Sequence, residues 1–255
     1  MTAVRDDAAT FLRGLSPQSI DLLLTSPPYW CQRRYGSDPL EIGTESSVFT
    51  YVQRLCDTLH MAWDAIRPSG WMAVVIGDTY ASRPGRSQQP VRRAISARVQ
   101  ESVRSLPRRS LAGLPPKTMV AVPERIKIGM IDRGWRCRNT VVWQKTNAMP
   151  TSVTDRLRVT HEVVHLFARG HRSYFDRDAD ALGRGDVWAI PVRSGGAAVA
   201  HPAAMPDRLA SALIGMLCPV GGTVVDPFAG AGSTMMAASR LGRIGVGCDL
   251  YGWTA

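Results

Sequence analysis

The chain has 255 residues, a formal net charge of +10 at pH 7 and 45% hydrophobic residues, which predicts a single globular domain. No apolar run reaches the roughly 18 residues of a membrane span, and the polar start Met1–Asp7 does not resemble a signal peptide, so we expect a cytoplasmic protein with no membrane partner. The five cysteines are scattered and never form a Cys-x-x-Cys pair, which argues against a disulfide framework and against a metal site.

Apolar patterns typical of strands and of helices alternate along the chain. In chain order they predict an edge strand at 1–5, a helix at 8–15, a buried strand at 20–25, a helix at 48–66 and a strand at 71–76. A helix at 123–132, strands at 139–143 and 163–168, a helix at 206–217, a strand at 223–226, a helix from 235 to 241 and a strand ending at 249 complete the pattern. This order predicts an α/β fold with a mostly parallel, doubly wound sheet.

A rigid polar turn follows the buried strand, where residues 25–30 read Thr-Ser-Pro-Pro-Tyr-Trp. Because prolines donate no N–H, the carbonyl oxygens of Ser26 and Pro27 are left to accept hydrogen bonds. The two aromatic residues add flat apolar surfaces beside these acceptors. Such a site at the carboxyl end of a strand suits a planar group with an amine, such as a nucleobase. The alternative is a proline-rich turn that only caps the strand.

A glycine-rich turn follows the β-branched run Thr223–Asp226. Gly230 and Gly232 allow the backbone to approach a ligand closely. Met235 stands where the dinucleotide fingerprint has its third glycine, which counts against a nicotinamide dehydrogenase. The next β-rich run ends in Asp249, an acid placed to hold ribose hydroxyls. The pattern predicts a nucleotide-like ligand, and tight packing of a turn is the alternative.

The positive charge is concentrated in residues 81–117, which carry nine basic residues against the single acid Glu101 and so hold +8 of the chain's +10. Such a segment would follow a phosphate backbone and make binding strongly salt-dependent. Its Pro, Gly, Ser and Gln content predicts a mobile loop with a helix across 91–103. A solvated insertion with no partner is the alternative. The basic residues are Arg83, Arg86, Arg92, Arg93, Arg98, Arg104, Arg108, Arg109 and Lys117.

Together these motifs resemble those of the S-adenosylmethionine-dependent amino-methyltransferases of DNA, which methylate exocyclic amines of cytosine or adenine. Residues 226–232 are similar to the cofactor loop of that family and 26–29 to its catalytic motif, and their order is similar to its beta arrangement. Residues 143–150, with Asp155-Arg156 and His161-Glu162 after them, resemble the segment that closes over the target base. Residues 201–206 resemble the motif that leads into the cofactor loop.

The resemblance, which runs from about Asp7 to Asp249, implies a fold and a set of site residues. The fold would be a circularly permuted, seven-stranded, Rossmann-like sheet of the methyltransferase type in a single domain 1–255, with 2–5 beside the strand of Asp249 and 172–200 as a small target-recognition region. Catalysis falls to Ser26, Pro27, Pro28 and Tyr29. Binding of S-adenosyl-L-methionine falls to Asp7, Thr25, His201, Pro202, Asp226, Pro227, Phe228, Gly230, Gly232, Thr234 and Asp249. DNA binding falls to the eight arginines of the insertion and to Lys145, Arg156 and Arg184.

The resemblance also implies methylation of a base flipped out of double-stranded DNA. In this family a serine at the first motif position goes more often with cytosine N4 and an aspartate with adenine N6, so Ser26 favours cytosine. Methylation of adenine N6, RNA as substrate, and a nucleic-acid binding module without activity are the alternatives. The small recognition region favours a homodimer, while the recognition sequence and a companion restriction endonuclease stay open. No catalytic role is assigned to Asp78, His161 or Glu162, because solvent can take the proton that the amine loses.

Overall fold

The computed structural model describes residues 2–81, 114–179, 185–192 and 205–252. The predictions for His201, Pro202, Arg184 and the eight arginines of the insertion lie outside the described residues. Within the described ranges no helix is long and apolar enough to cross a membrane. The same ranges contain no cluster of three or more His, Cys, Asp or Glu side chains that could hold a metal ion.

Within the described residues, one eight-stranded sheet organises the chain, in the strand order β1-β8-β7-β2-β3-β5-β4-β6. Only β5 runs against the other strands, so the predicted mostly parallel sheet is confirmed. The strands are β1 Thr2–Arg5, β2 Ile20–Thr25, β3 Ile66–Ile76, β4 Arg136–Gln144, β5 His161–Ala168, β6 Val187–Ala189, β7 Thr223–Asp226 and β8 Ile244–Asp249. The helices are α1 Ala8–Arg13, α2 Val48–His60, α3 Val122–Asp132, α4 Asp207–Leu217 and α5 Ser233–Arg240.

The prediction of seven strands is wrong by one, because the short strand β6 lies inside the predicted target-recognition region and pairs with β4. Its three residues are too few to show a period in the sequence. The predicted place of the first strand is confirmed, since Thr2 pairs with Val246 and Arg5 with Asp249. The description of this sheet as circularly permuted stays a prediction.

The helix predicted to extend to Ile66 ends at His60, and Ile66 instead begins β3, where it pairs with Ile20. The strand then passes through Pro68 and Gly70. A shift of register between Ile20 and Leu22 accommodates this irregular start. A Cβ atom on Gly70 would lie 2.9 Å from the Asp21 carbonyl oxygen, so the close approach of β2 requires glycine there.

Two apolar cores lie on opposite faces of the sheet, which is why β2 is apolar throughout. Leu23 points into the core that α1, α2 and α3 cover. Leu22 and Leu24 point into the other core, which α4 and α5 cover. Because the parallel strands all end at one edge, and β5 begins at that edge, the loops that follow these strands converge there.

Candidate active site

A cavity of about 840 Å³ opens at this edge of the sheet, between the turn after β2, the turn after β7 and the end of β8. It brings together most of the predicted catalytic and cofactor-binding residues that the structure describes. Thr25, Pro27, Tyr29 and Gly232 are not part of its wall. The predicted residues that line it are Asp7, Ser26, Pro28, Asp226, Pro227, Phe228, Gly230, Thr234 and Asp249.

Asp226 ends β7 as a buried carboxylate in the wall of the cavity, with only 3% of its surface exposed. The Thr25 hydroxyl donates to its Oδ1 at 2.6 Å, and the Phe228 backbone N–H donates to the same atom at 3.1 Å. Burial, together with the nearby Asp249 charge, raises the pKa of Asp226 to about 6, although these hydrogen bonds lower it. A carboxylate held this way is a site for a cationic group.

The glycine-rich turn between β7 and α5 depends on backbone conformations that glycine adopts freely. Gly230 has a φ of +49° and Gly232 a φ of +73°, and no atom lies within 4 Å of the position that a Cβ on Gly230 would take. The Gly230 N–H donates to Asp249 Oδ2 at 3.1 Å, while Asp249 Oδ1 accepts from the Tyr251 N–H at 3.0 Å. Asp249 therefore fixes the turn as well as lining the cavity.

Asp7 caps the N-terminus of α1, where its carboxylate accepts hydrogen bonds from the N–H groups of Ala9 and Thr10. Burial would raise the pKa of Asp7, but the Thr10 and Ala9 hydrogen bonds and the Arg13 charge lower it below its ordinary value. The residue lines the cavity beside α1. The predicted contact with a cofactor stays a prediction, and the cap is a structural role that the sequence analysis did not assign.

The segment Ser26–Tyr29 is held in place by a hydrogen bond from α2. The Tyr51 hydroxyl of α2 donates to the Pro28 carbonyl oxygen at 2.8 Å. Within the part of the chain that the structure describes, no group donates to the Pro27 carbonyl oxygen. Pro27 is buried and lies outside the cavity wall, so the predicted role of its carbonyl oxygen as an acceptor for a substrate stays a prediction.

The Tyr29 hydroxyl donates to Glu162 Oε2 at 2.7 Å, and the ammonium of Lys145 forms an ion pair with Glu162 Oε1. Burial raises the pKa of Tyr29 well above its ordinary value, the Glu162 charge raises it further, and the Ser26 hydroxyl acts in the opposite direction. Tyr29 is therefore a protonated donor at neutral pH. The structure assembles Ser26, Tyr29, Glu162 and Lys145 at one place beside the cavity.

Three acid–base candidates, to which no catalytic role was assigned, lie in different parts of the structure: Asp78, His161 and Glu162. Asp78 accepts hydrogen bonds from the N–H groups of Ala121 and Val122 at 3.0 and 2.9 Å, which makes it a cap for the start of α3. His161 is exposed at the start of β5. Glu162 is the one of the three whose side chain contacts the catalytic motif.

The ends of the basic insertion are joined beside the segment predicted to close over the target base. Ala81 and Lys117–Thr118 exchange two backbone hydrogen bonds of 2.8 Å. The Arg156 guanidinium lies 3.4 Å from the centre of the Tyr80 ring, and Lys117 forms an ion pair with Asp155. Arg156 and Lys145, both predicted to bind DNA, are thus engaged within the protein, and DNA contacts by them stay predictions.

A set of hydrogen bonds to Glu41, which the sequence did not predict, joins distant segments of the cavity wall. Glu41, 4% exposed, accepts hydrogen bonds from the N–H groups of Tyr35 and Gly36 at 2.7 and 3.1 Å and from the Tyr251 hydroxyl at 2.8 Å. Partial burial, with Glu41 as hydrogen-bond acceptor, raises the pKa of Tyr251 to about 12. No local sequence pattern predicts the contact between Glu41 and Tyr251, because these residues are far apart in sequence.

Comparisons with known proteins identify the family. A model of the family described as DNA methylase matches residues 20–252. The type II methyltransferase M.Cfr9I of Citrobacter freundii is 33% identical over 262 residues, which cover 98% of this chain and 83% of that protein. M.SmaI of Serratia marcescens is 30% identical over 258 residues, covering 96% of this chain and 84% of that protein. The chain belongs to the DNA methylase family.

Solved structures share the fold of this DNA methylase. PvuII DNA methyltransferase has a TM-score of 0.72 and 20% identity, covering 97% of this chain and 81% of that one. A putative DNA modification methylase of Thermus thermophilus, TTHA0409, solved with S-adenosylmethionine, has a TM-score of 0.66 and 22% identity, covering 98% and 87%. As a member of its family, the protein is an amino-methyltransferase, and S-adenosylmethionine is its cofactor.

The residues around the cavity fit this cofactor. The carboxylates of Asp226 and Asp249 suit a ligand that carries ammonium and sulfonium charges and ribose hydroxyls. Phe228 and Leu250 are apolar residues of the wall and suit an adenine ring, and the open space above Gly230 leaves room for close contact with the backbone. The acceptor groups and the apolar surface of the DNA methylase site therefore agree with the family's cofactor.

Proposed function

We propose that this DNA methylase methylates the exocyclic N4 amine of cytosine in double-stranded DNA. One observation carries the proposal: Ser26 and Pro28 of the catalytic motif line the same cavity as Asp226 and Asp249 of the cofactor site. A methyl donor and a bound amine can therefore meet in one enclosure without a rearrangement of the sheet. Alignment of two reactants in this way lowers the activation free energy of the reaction by about 7 kcal/mol or more in well-oriented cases.

Asp226, Phe228, Gly230 and Asp249 would hold S-adenosylmethionine, while Asp7 would contact its adenine. The cofactor supplies a methyl group that its sulfonium charge activates for transfer. The buried Asp226 carboxylate would favour this cationic ligand over a neutral one of the same shape.

The exocyclic amine is a poor nucleophile, because its lone pair is delocalised into the ring. The Ser26 hydroxyl oxygen and the Pro27 carbonyl oxygen would each accept a hydrogen bond from one N–H of the amine and draw the lone pair out of conjugation. The new N–C bond would form as the methyl–sulfur bond of the bound cofactor breaks, which leaves a neutral thioether. The nitrogen would then give up one proton to solvent. The protein's contribution is to position and polarise the amine.

A base within a duplex is inaccessible to this edge of the sheet, so the target would be flipped out of the stack. Tyr29 would stack on the flipped base, and stacking on an aromatic ring contributes about 1–3 kcal/mol per base in single-strand binders. The two ends of the basic insertion, Ala81 and Lys117, lie beside the segment that carries Arg156. The insertion would therefore start next to the base site.

The choice of cytosine over adenine rests on Ser26. The PvuII enzyme is cytosine-N4-specific, and its likeness to this chain at 20% identity concerns the fold. A serine hydroxyl and an aspartate both accept from an amine, so adenine N6 is the second candidate. The names of M.Cfr9I and M.SmaI as type II methyltransferases support a role in restriction–modification, with a cognate endonuclease as partner. A homodimer would enlarge the small recognition surface.

Nucleoside mass spectrometry on unmethylated duplex DNA, incubated with the protein and S-adenosylmethionine, tests the choice of base. We expect N4-methylcytosine, because Ser26 occupies the first position of the motif. N6-methyladenine would overturn the choice of cytosine and leave the amino-methyltransferase mechanism in place. DNA incubated without the cofactor serves as the control for methylation carried over from the expression host.

A further inference from the structure

We propose that Glu162 is a positioning residue that fixes the ring of Tyr29 in the base site, with Lys145 as its counter-ion. This inference deepens the proposed function and rests on it for the role of Tyr29. Glu162 lies far from the catalytic motif in sequence, and no acid–base role was assigned to it. Three independent features of the structure support the assignment: the strand topology, the saturation of the carboxylate and the packing against Gly77.

The topology brings Glu162 to the motif because β5 is the strand that runs against the others. Its first residues therefore lie at the edge where β2, β3 and β4 end. Val163 pairs with Ile76 of β3, and Glu162 pairs with Trp143 of β4. Glu162 thus stands between the end of β3 and the end of β4, facing the turn that follows β2.

Both oxygens of the Glu162 carboxylate are engaged. Oε2 accepts from the Tyr29 hydroxyl at 2.7 Å, and Oε1 is paired with the Lys145 ammonium. The two side chains of the ion pair are only 16% and 21% exposed, so these charge-assisted hydrogen bonds are shielded from water. A carboxylate with both oxygens occupied is suited to orient its donors rather than to collect the proton of the substrate.

Gly77 closes the remaining side of this arrangement. A Cβ atom at Gly77 would lie 3.0 Å from Cε2 of Tyr29 and 3.1 Å from Cγ of Glu162. The tyrosine ring and the glutamate stem therefore both pack against the bare backbone after β3. Contact along one ring edge and a hydrogen bond at the hydroxyl together fix the plane of the ring, which stacking on a base requires.

The test is a set of variants: Glu162→Ala, Glu162→Gln, Tyr29→Phe and the double variant Tyr29→Phe/Glu162→Ala. We expect Glu162→Ala to lower kcat for DNA methylation about tenfold, because a misplaced ring no longer orients the base. Glu162→Gln should recover part of this loss, since an amide oxygen still accepts from the Tyr29 hydroxyl. The KM for S-adenosylmethionine and the rise in Tm that it produces should stay at the wild-type values.

The double variant decides whether Glu162 acts through Tyr29. If it does, the double variant loses no more kcat than the more impaired single variant, whereas independent roles would give losses that multiply. Multiplied losses, or an equal loss of cofactor binding in Glu162→Ala, would overturn the inference. Glu124→Gln, at an exposed glutamate in α3, is the matched control and should leave all these quantities unchanged.

Urea unfolding of the same variants separates this inference from the proposed function. Coupling between the Tyr29 and Glu162 substitutions in the free energy of unfolding measures their contact without any substrate. If the two substitutions are coupled in the free energy of unfolding but the wild type transfers no methyl group to DNA, the contact between Tyr29 and Glu162 is supported and the proposed function has failed. An absence of coupling would overturn the positioning role whatever the wild-type activity.

Discussion

Replacement of Asp226 by asparagine is expected to stabilise the protein at neutral pH and to weaken its binding of S-adenosylmethionine. Burial raises the pKa of Asp226 from 3.8 to about 6. Between these values the folded state holds a proton that the unfolded state has released, so the contribution of Asp226 to stability falls as pH rises through this window. The difference between the two pKa values corresponds to roughly 3 kcal/mol of destabilisation above the folded pKa.

Asparagine preserves the shape and can still accept from the Thr25 hydroxyl and the Phe228 N–H, but it carries no charge. The variant should therefore be more stable than the wild type above about pH 6, by up to roughly 3 kcal/mol, and the difference should shrink toward about pH 4. Urea unfolding across this range measures it. Asp132→Asn, at an exposed position in α3, is the control and should show no such pH-dependent gain.

The same substitution should reduce the affinity for S-adenosylmethionine by about tenfold or more at neutral pH, since a hydrogen bond or charge contact to an ionised group contributes about 1.5–3 kcal/mol. Titration calorimetry measures this affinity. For the wild type, affinity should rise with pH as Asp226 ionises, and this rise should be absent from the variant. A stability difference that does not vary with pH, or unchanged binding, would contradict the role given to the buried carboxylate.

Tyr29→Ala is expected to lower turnover on DNA by about 10- to 100-fold, since the ring that stacks on the flipped base is removed. Binding of S-adenosylmethionine should survive, because Tyr29 lies outside the wall of the cofactor cavity. Steady-state kinetics measures turnover, and the cofactor-induced rise in Tm measures binding.

Asp249→Ala is the mirror-image control for Tyr29→Ala. It removes the acceptor of the Gly230 N–H and a carboxylate of the cavity wall, so it should raise the KM for S-adenosylmethionine with little change in DNA affinity. Equal loss of cofactor binding in both variants would show that the site is not divided into a base half and a cofactor half.

The sequence could predict the parts of the site that are formed by motifs of consecutive residues. The apolar run 20–25 predicts a buried strand. The prolines after β2 and the glycines after β7 predict turns, because these residue types restrict or widen the backbone conformations available. The position of the first strand beside β8 followed from the family resemblance and is confirmed by the pairing of Arg5 with Asp249.

Contacts between distant side chains could not be predicted in this way. Glu162 reaches Tyr29 only because β5 is antiparallel, and Glu41 reaches Tyr251 only because the end of the chain returns to the loop before α2. The start of β3 at Ile66 was hidden because Ile66 also fits the helical period of α2. Here pairing with Ile20 overrides the local pattern.

Transfer of tritium-labelled methyl from S-adenosylmethionine to unmethylated duplex DNA, by the wild type and by Ser26→Ala, tests the central claim most directly. We expect label in the DNA from the wild type and a loss of about 100-fold in the variant, because removal of one polarising group from an active site has effects of this size. The variant should still bind S-adenosylmethionine. Label that enters RNA alone, or no nucleic acid at all, from a wild-type protein that binds the cofactor would contradict the assignment of DNA as substrate.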